Sequence, residues 1–324
     1  MHSSPSKIGP AIGLVLALAS ACSEDFAPAN QISGVRILAT QASLPYARPG
    51  EQVTLTTLAL DGRTDRSRPM RVAYLKTPCT NPSDDDPTAC YAGIAASFPL
   101  GTNLDASLAA TDTFSFTMPA DAITAHAPAR GGDGYGVAYV FVIACAGHVE
   151  RVETRAGYPG EPPLGCFDAG GRRLGREDFV FAFARVYAYA DLRNQNPSIG
   201  SLTLEGVTVD ERVGIVRDRC TANADQDCAK SYLDVNTDSQ VQEEDPAASS
   251  PGLTFREQVW VSYFLTGGKM EDDISILYDS RDGKIPKSRS ALTTRSPAGR
   301  YLLYAVLHDN RGGVSWKSYS LEIR

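Results

Sequence analysis

The sequence of 324 residues has few of the features on which catalytic and nucleic-acid-binding sites depend. Histidine occurs only four times, and there is no H-x-x-x-H, C-x-x-C or G-x-S-x-G motif. A formal net charge of −7 provides no basic stripe for a nucleic acid. Acidic pairs could in principle serve a glycosidase, but nothing in the sequence sets their separation. We therefore predict that the chain is not an enzyme and has no nucleic-acid partner.

The sequence also lacks an apolar run long enough to span a bilayer, which takes about 17–25 residues. Its longest such run, residues 8–21, follows the positive charge of Lys7 and is interrupted by glycine, proline and serine. A short charged start and a short apolar stretch are typical of a signal peptide. We predict that residues 1–21 are cleaved and that the exported body has no transmembrane helix.

Cys22 lies directly after the small residues Ala19, Ser20 and Ala21. This segment resembles the lipobox of bacterial lipoproteins, although Ala19 stands where such boxes more often have leucine. The resemblance implies cleavage before Cys22 and lipidation of that residue, with several acyl chains for stable anchoring. Ser23 then favours the outer membrane, and polar residues 22–32 would form an unpacked tether. The alternative is an ordinary secretory peptide with a chance cysteine.

The remaining cysteines favour export to an oxidising compartment. These six residues fall into three couples that are close in sequence: Cys79 and Cys90, Cys145 and Cys166, and Cys220 and Cys228. Six cysteines allow about fifteen pairings, but each couple brackets a polar, turn-rich stretch that a bridge would close. We predict these three disulfides. A zinc site is the weaker alternative, because His148 is the only imidazole near any of the cysteines.

Alternating apolar and polar residues dominate the rest of the chain and predict β-strands. The clearest run is YGVAYVFVIAC at 135–145, in which the odd-numbered residues would share one face; FVFAFARVYAYA at 179–190 repeats the pattern. In 51–60, the shift from Val53 and Leu55 to Leu58 and Leu60 indicates a strand with a break between the pairs. One short helix is predicted after Pro119, in PADAITAHA.

A linker rich in proline, glycine and asparagine at 194–200 suggests two domains, 33–193 and 197–324. Residues 297–323, PAGRYLLYAVLHDNRGGVSWKSYSLEI, resemble the final hairpin of PKD-like repeats, which have an immunoglobulin fold. Residues 47–62 and 132–147 resemble the opening and tyrosine-bearing strands of such a domain. The resemblance implies an all-β chain of two tandem immunoglobulin-like β-sandwiches, the second of them PKD-like.

Acidic loops in the second half are the strongest candidates for a ligand site. Asp234, Asn236, Asp238 and Asp245 have the spacing of an EF-hand-type calcium loop, without its glycine or its final glutamate. A solvated acidic loop is the alternative interpretation. We therefore expect an envelope lipoprotein with no required cofactor that presents its modules for adhesion, scaffolding or binding of an envelope or extracellular partner. A calcium- or carbohydrate-binding surface module is the second hypothesis.

Overall fold

The computed structural model describes residues 28–126, 134–154, 160–222, 227–238, 242–246, 248–249 and 252–324. The strands are β1 (Val35–Ala42), β2 (Tyr46–Ala47), β3 (Gln52–Asp61), β4 (Arg71–Leu75), β5 (Cys79–Thr80), β6 (Leu108–Ala109), β7 (Thr113–Thr117), β8 (Tyr135–Cys145), β9 (His148–Arg151), β10 (Leu164–Phe167), β11 (Phe179–Tyr189), β12 (Ile199–Leu204), β13 (Val207–Thr208), β14 (Ile215–Arg217), β15 (Ser231–Thr237), β16 (Val259–Leu265), β17 (Lys269–Met270), β18 (Ile274–Asp279), β19 (Gly283–Lys284), β20 (Ser290–Thr293), β21 (Gly299–Asp309) and β22 (Val314–Ile323). Helical segments are α1 (Tyr91–Ser97) and short 3-10 turns at Ser83–Asp85, Pro87–Cys90 and Asp105–Ser107.

The strands up to β11 form a first β-sandwich. One sheet has the order β1-β3-β7, and the other has the order β2-β11-β8-β4-β6, with β5 also paired to β8. Between the two sheets lies an apolar core that includes Val53, Leu55, Val140 and Val142. The strands β9 and β10 form a separate hairpin beside this sandwich.

The strands from β12 onward form a second sandwich with the same plan. Its sheets have the orders β13-β12-β15-β20-β17 and β14-β22-β21-β16-β18-β19. In both sandwiches the main strands divide between the sheets as strands A, B and E and strands C, F and G do in immunoglobulin domains. In the first sandwich these are β1, β3 and β7 against β4, β8 and β11, and in the second they are β12, β15 and β20 against β16, β21 and β22. A short strand also pairs in parallel with the last strand of each sandwich, β2 with β11 and β14 with β22. The chain is thus all-β, with two tandem immunoglobulin-like sandwiches.

The first sandwich has a third layer on the outer face of its six-stranded sheet. Along β8 the even-numbered residues pack into the core between the sheets, and the odd-numbered residues pack under an outer layer that contains α1, β9 and β10. Phe141 on this outer face is only 1% exposed. The prediction that alternate residues of β8 share a face is therefore confirmed, but both of its faces are buried.

Two local predictions from the sequence are wrong. Residues 120–125 form turns rather than a helix, and the α-helix in the described part of this sandwich is α1, directly after the polar stretch 79–90. The strand β3 has no break. Instead, Val53 and Leu55 face the first core, whereas Leu58 and Leu60 point from the opposite face of the same strand towards the second sandwich.

That contact joins the two sandwiches through an apolar junction. Leu38 and Ala39 of β1, with Leu58 and Leu60 of β3, pack on the outer face of the six-stranded sheet of the second sandwich. This face contributes Phe264, Tyr304, Val306, Val314 and Trp316. Direct polar contacts flank it, since Gln41 Nε2 donates to the Val314 carbonyl at 2.6 Å and the Val314 N–H donates to Asn196 Oδ1 at 2.9 Å.

A buried arginine fixes the edge of the junction. Arg311, in the turn between β21 and β22, has a side chain that is 4% exposed and forms an ion pair with Glu257 at 3.1 Å. Its guanidinium lies 4.8 Å from the ring centre of Tyr46 in the first sandwich and also donates to the Arg193 carbonyl. Burial, together with the nearby charge of Asp309, raises the pKa of Glu257 to about 7. The junction therefore combines apolar packing with a desolvated ion pair.

The described end of the expected tether is packed on the second sandwich. The Ile32 N–H donates to the Leu265 carbonyl at 2.8 Å, and the Leu265 N–H donates to the Asn30 carbonyl at 2.9 Å. Both Asn30 and Ile32 are buried. The prediction of an unpacked segment is thus wrong for residues 28–32. Among the described residues, no helix has the length and apolar character to cross a membrane.

Candidate binding surface

The predicted site residues form three groups: Cys22 with the leader, the six paired cysteines, and the four predicted calcium ligands. Cys22 and the leader lie outside the described residues, so lipidation stays a prediction. The three predicted cysteine couples are disulfides, 79–90, 145–166 and 220–228. The first two connect the outer layer of the first sandwich to its sheet, and the third lies in the second sandwich.

The four predicted calcium ligands do not form a loop around one point. Asp234 and Asn236 lie within β15, where neighbours on one face are about 7 Å apart. Asp238 accepts a hydrogen bond from Ser198, whereas buried Asp245 accepts one from the Ala248 N–H. Asp234 and Asn236 thus lie along a strand and not in a loop, and calcium binding at the four residues stays a prediction. Within the described ranges, no group of three or more His, Cys, Asp or Glu side chains is placed to hold a metal ion.

A row of half-exposed rings on β11 is the most distinctive surface feature of the first sandwich. We call Phe179, Phe181, Phe183 and Tyr187 the aromatic strip; strand alternation places them on one face. Phe183 is 44% exposed, and the others are partly buried. At the end of the strip, the guanidinium of Arg185 lies 4.9 Å from the ring centre of Tyr187.

Rings of the neighbouring strand hold the aromatic strip in place. Phe181 stacks on Phe141 with centroids 5.2 Å apart, and Phe183 meets the ring of Tyr139 edge-on at 5.3 Å. The outer layer covers Tyr139 and Phe141 almost completely, but it leaves β11 only partly covered. The strip is therefore an apolar surface on a rigid base.

A groove under the outer layer lies on the same sheet face, on the far side of β8 from the strip. Its volume is about 640 Å³, within the range of small-ligand pockets. Phe141 and Leu75 line its base, and Ile94 and Phe98 line its side. The Cys79–Cys90 disulfide also lines it, so this bridge shapes the groove as well as closing a loop.

A polar cluster closes the strip at its Tyr187 end, where the ring centroids of Tyr135 and Tyr187 are 5.9 Å apart. Asp85 accepts hydrogen bonds from the Tyr135 hydroxyl at 2.6 Å and lies 2.8 Å from His126 Nε2. The bond to Asp85, with burial second, raises the pKa of Tyr135 to about 12. The Tyr139 hydroxyl donates to the Asp85 carbonyl at 2.6 Å. These bonds attach the turn at Ser83–Asp85 to the start of β8 and keep Tyr135 protonated at neutral pH.

Comparison with known proteins adds little to this description. No protein-family model matches the sequence, and no curated protein matches it. Fibronectin(III)-like modules of Clostridium thermocellum CbhA are 10% identical, over 90% of this chain and 94% of theirs, with a TM-score of 0.23. Dimeric latent PorU from Porphyromonas gingivalis is 9% identical over 91% of this chain and 24% of its own, with a TM-score of 0.22. Murine CEACAM1b is 12% identical over 90% of this chain and all of its own, with a TM-score of 0.19. Scores this low support no argument, so the fold assignment rests on strand order.

Proposed function

We propose that this chain is an exported cell-envelope protein, anchored by lipid on Cys22, that binds a protein partner through the aromatic strip. The half-exposed rings of the strip, held on a rigid sheet, are the observation that supports it. Aromatic side chains are enriched in the buried centres of protein interfaces. Three disulfides fit an oxidising compartment outside the cytoplasm.

The binding role is tested by capture from cross-linked cells. We expect Phe183→Ser to lose proteins that the unmodified chain captures, because it removes the most exposed ring of the strip. Leu302→Ser is the matched control, since Leu302 is 41% exposed on the second sandwich. Equal capture by all three chains would contradict a role for the strip. A glycan is the second candidate, because sugar rings also pack on flat aromatic faces; binding of a purified glycan, lost in Phe183→Ser, would favour it.

The anchor is tested separately. We expect Cys22→Ala to abolish labelling by a fatty-acid analogue and to release the chain from the membrane fraction, because the acylated residue is gone. Cys79→Ala paired with Cys90→Ala is the control, since it removes cysteines without touching the predicted lipobox. Unchanged labelling and fractionation of Cys22→Ala would show that the chain is not a lipoprotein.

A further inference from the structure

The groove under the outer layer is separate from the aromatic strip, because the two lie on opposite sides of β8. Its base and side are apolar and include Leu75, Phe141, Ile94 and Phe98. Its volume is about 640 Å³. Pockets of this size and composition take ligands with an apolar body, which a few polar groups then orient. The question is therefore which polar group the groove provides.

One positive charge lies at the rim of the groove. Of the described residues that line it, Lys76 alone has a charged side chain, and the other polar side chains are hydroxyls. Lys76 Nζ donates to the carbonyl of Ala106, which also lines the groove, at 3.1 Å. An ammonium has more N–H groups than this bond uses, so donors remain for a ligand. Asp105, next to Ala106 in sequence, is already ion-paired with Arg71 at 2.9 Å.

Covalent and polar links hold the groove in shape. The Cys79–Cys90 disulfide connects β5, which pairs with β8, to the residue before α1. The bond from Lys76 connects the end of β4 to the turn at Asp105–Ser107. Open space remains beside α1, since a Cβ atom at Gly93, which lines the groove, would meet nothing within 4 Å. A groove fixed in this way reduces the ordering cost of binding.

We propose that the groove binds a free fatty acid, with its acyl chain on the apolar walls and its carboxylate on Lys76. An acyl chain has no polar group to satisfy, and each methylene that leaves water against Phe141 and Leu75 adds to the affinity. A carboxylate matches the charge at the rim, because charge-assisted hydrogen bonds are stronger than neutral ones. A cationic ligand would be repelled, and a neutral one would leave the ammonium unused. The proposal depends neither on the aromatic strip nor on lipidation of Cys22.

Equilibrium dialysis of radiolabelled dodecanoate against the full chain tests the site, using Cys22→Ala so that no acyl group of the chain competes. We expect saturable, equimolar binding. In Lys76→Glu the Kd of dodecanoate should rise by about tenfold or more, because an attractive charge becomes a repulsive one. The Kd of dodecanol, a neutral ligand with the same chain, should change by less than about threefold. Lys284→Glu, at an exposed position of the second sandwich, is the control and should leave both Kd values unchanged.

A glycine variant locates the ligand on the chain. Gly93→Leu fills the open space beside α1, so we expect it to abolish saturable binding of dodecanoate and of dodecanol. Gly175→Leu is the matched control, since a Cβ atom at Gly175 also meets nothing within 4 Å and Gly175 is not among the residues that line the groove. It should leave both Kd values unchanged. Unchanged melting temperatures verify that these exposed substitutions leave the fold intact.

Three results would overturn the proposal. If dodecanoate does not bind saturably, the groove is not a fatty-acid site. If Lys76→Glu weakens both ligands equally, or neither, the ammonium does not recognise a carboxylate. If binding of dodecanoate survives in Gly93→Leu, the ligand lies elsewhere on the chain. None of these results bears on capture of a protein partner by the aromatic strip, so the two proposals fail separately.

Discussion

The two sandwiches share a plan but cover the same sheet face differently. In the first, the outer face of the six-stranded sheet is covered by the chain's own outer layer, which two disulfides connect to the sheet. In the second, the equivalent face is partly covered by β1 and β3 of the first sandwich. An immunoglobulin-like sheet with large apolar residues on both faces needs a third layer, because burial of that surface stabilises the fold. One sandwich provides the layer internally, and the other obtains it from its neighbour.

Removal of a ring from under the internal layer should have the largest effect. We expect Phe141→Ala to lower the free energy of unfolding by about 4 kcal/mol, because it leaves a cavity beneath the outer layer. Phe183→Ala is the matched control: it lies directly across from Phe141 on β11, but is 44% exposed. It should cost less than about 1 kcal/mol, as measured by urea denaturation of both variants. Equal losses would mean that the outer layer contributes no more than an exposed surface.

Disruption of the shared layer should separate the two sandwiches. We expect Arg311→Met to cost about 3 kcal/mol, because it leaves Glu257 buried without its ion pair. We expect calorimetry to resolve one transition in the unmodified chain and two in Arg311→Met. Arg300→Met, at an exposed position, is the control and should retain a single transition. One transition at an unchanged temperature in Arg311→Met would show that the sandwiches are coupled by apolar contacts alone.

Two titratable groups near the junction, Glu257 and His308, should have opposite effects on stability as the pH changes. Glu257 has a pKa of about 7 in the folded chain, above its usual 4.5, so folding takes up a proton and stability falls as pH rises through this interval. Burial lowers the pKa of His308 from 6.5 to about 4, so stability rises with pH over 4 to 6.5. The two slopes have opposite signs in the unmodified chain.

Replacing either group should reveal the pH dependence of stability that the other group causes. Between pH 4.5 and 6.5 we expect the free energy of unfolding to rise by about 2 kcal/mol in Glu257→Gln and to fall by about 2 kcal/mol in His308→Phe. Asp309, whose pKa burial also raises, is kept in both variants. Urea denaturation across this pH range measures both slopes. If the free energy of unfolding changed with pH in the same direction in both variants, opposite effects of Glu257 and His308 would be ruled out.

The sequence predicted the strands better than the layers. Alternation located β8 and β11, and the close spacing of each cysteine couple predicted all three disulfides. In β3 the shift from Leu55 to Leu58 was visible but misinterpreted as a break. Two leucines on the opposite face indicate a second buried surface, and a local pattern does not reveal that the surface belongs to another domain.

The candidate site could be predicted only in part. The rings of the aromatic strip were visible as alternate residues of one strand, but alternation alone does not say which face stays partly exposed. That depends on where the outer layer ends, which is a long-range property. The acidic spacing at 234–245 does not reveal that β15 pairs with β12, which extends Asp234 and Asn236 along a strand inside a sheet.

Residues 28–32, which we call the strap, pack on the second sandwich, and this constrains the order in which the chain folds. Asn30 Nδ2 donates to the Met270 carbonyl, across a separation of 240 residues. Residues 28–32 reach these partners only after most of the chain has been synthesised. A chain that emerges with its N-terminus first must therefore keep the strap undocked until β16 and β17 exist. Closure of the strap thus comes late in assembly, and long-range closure of this kind slows folding.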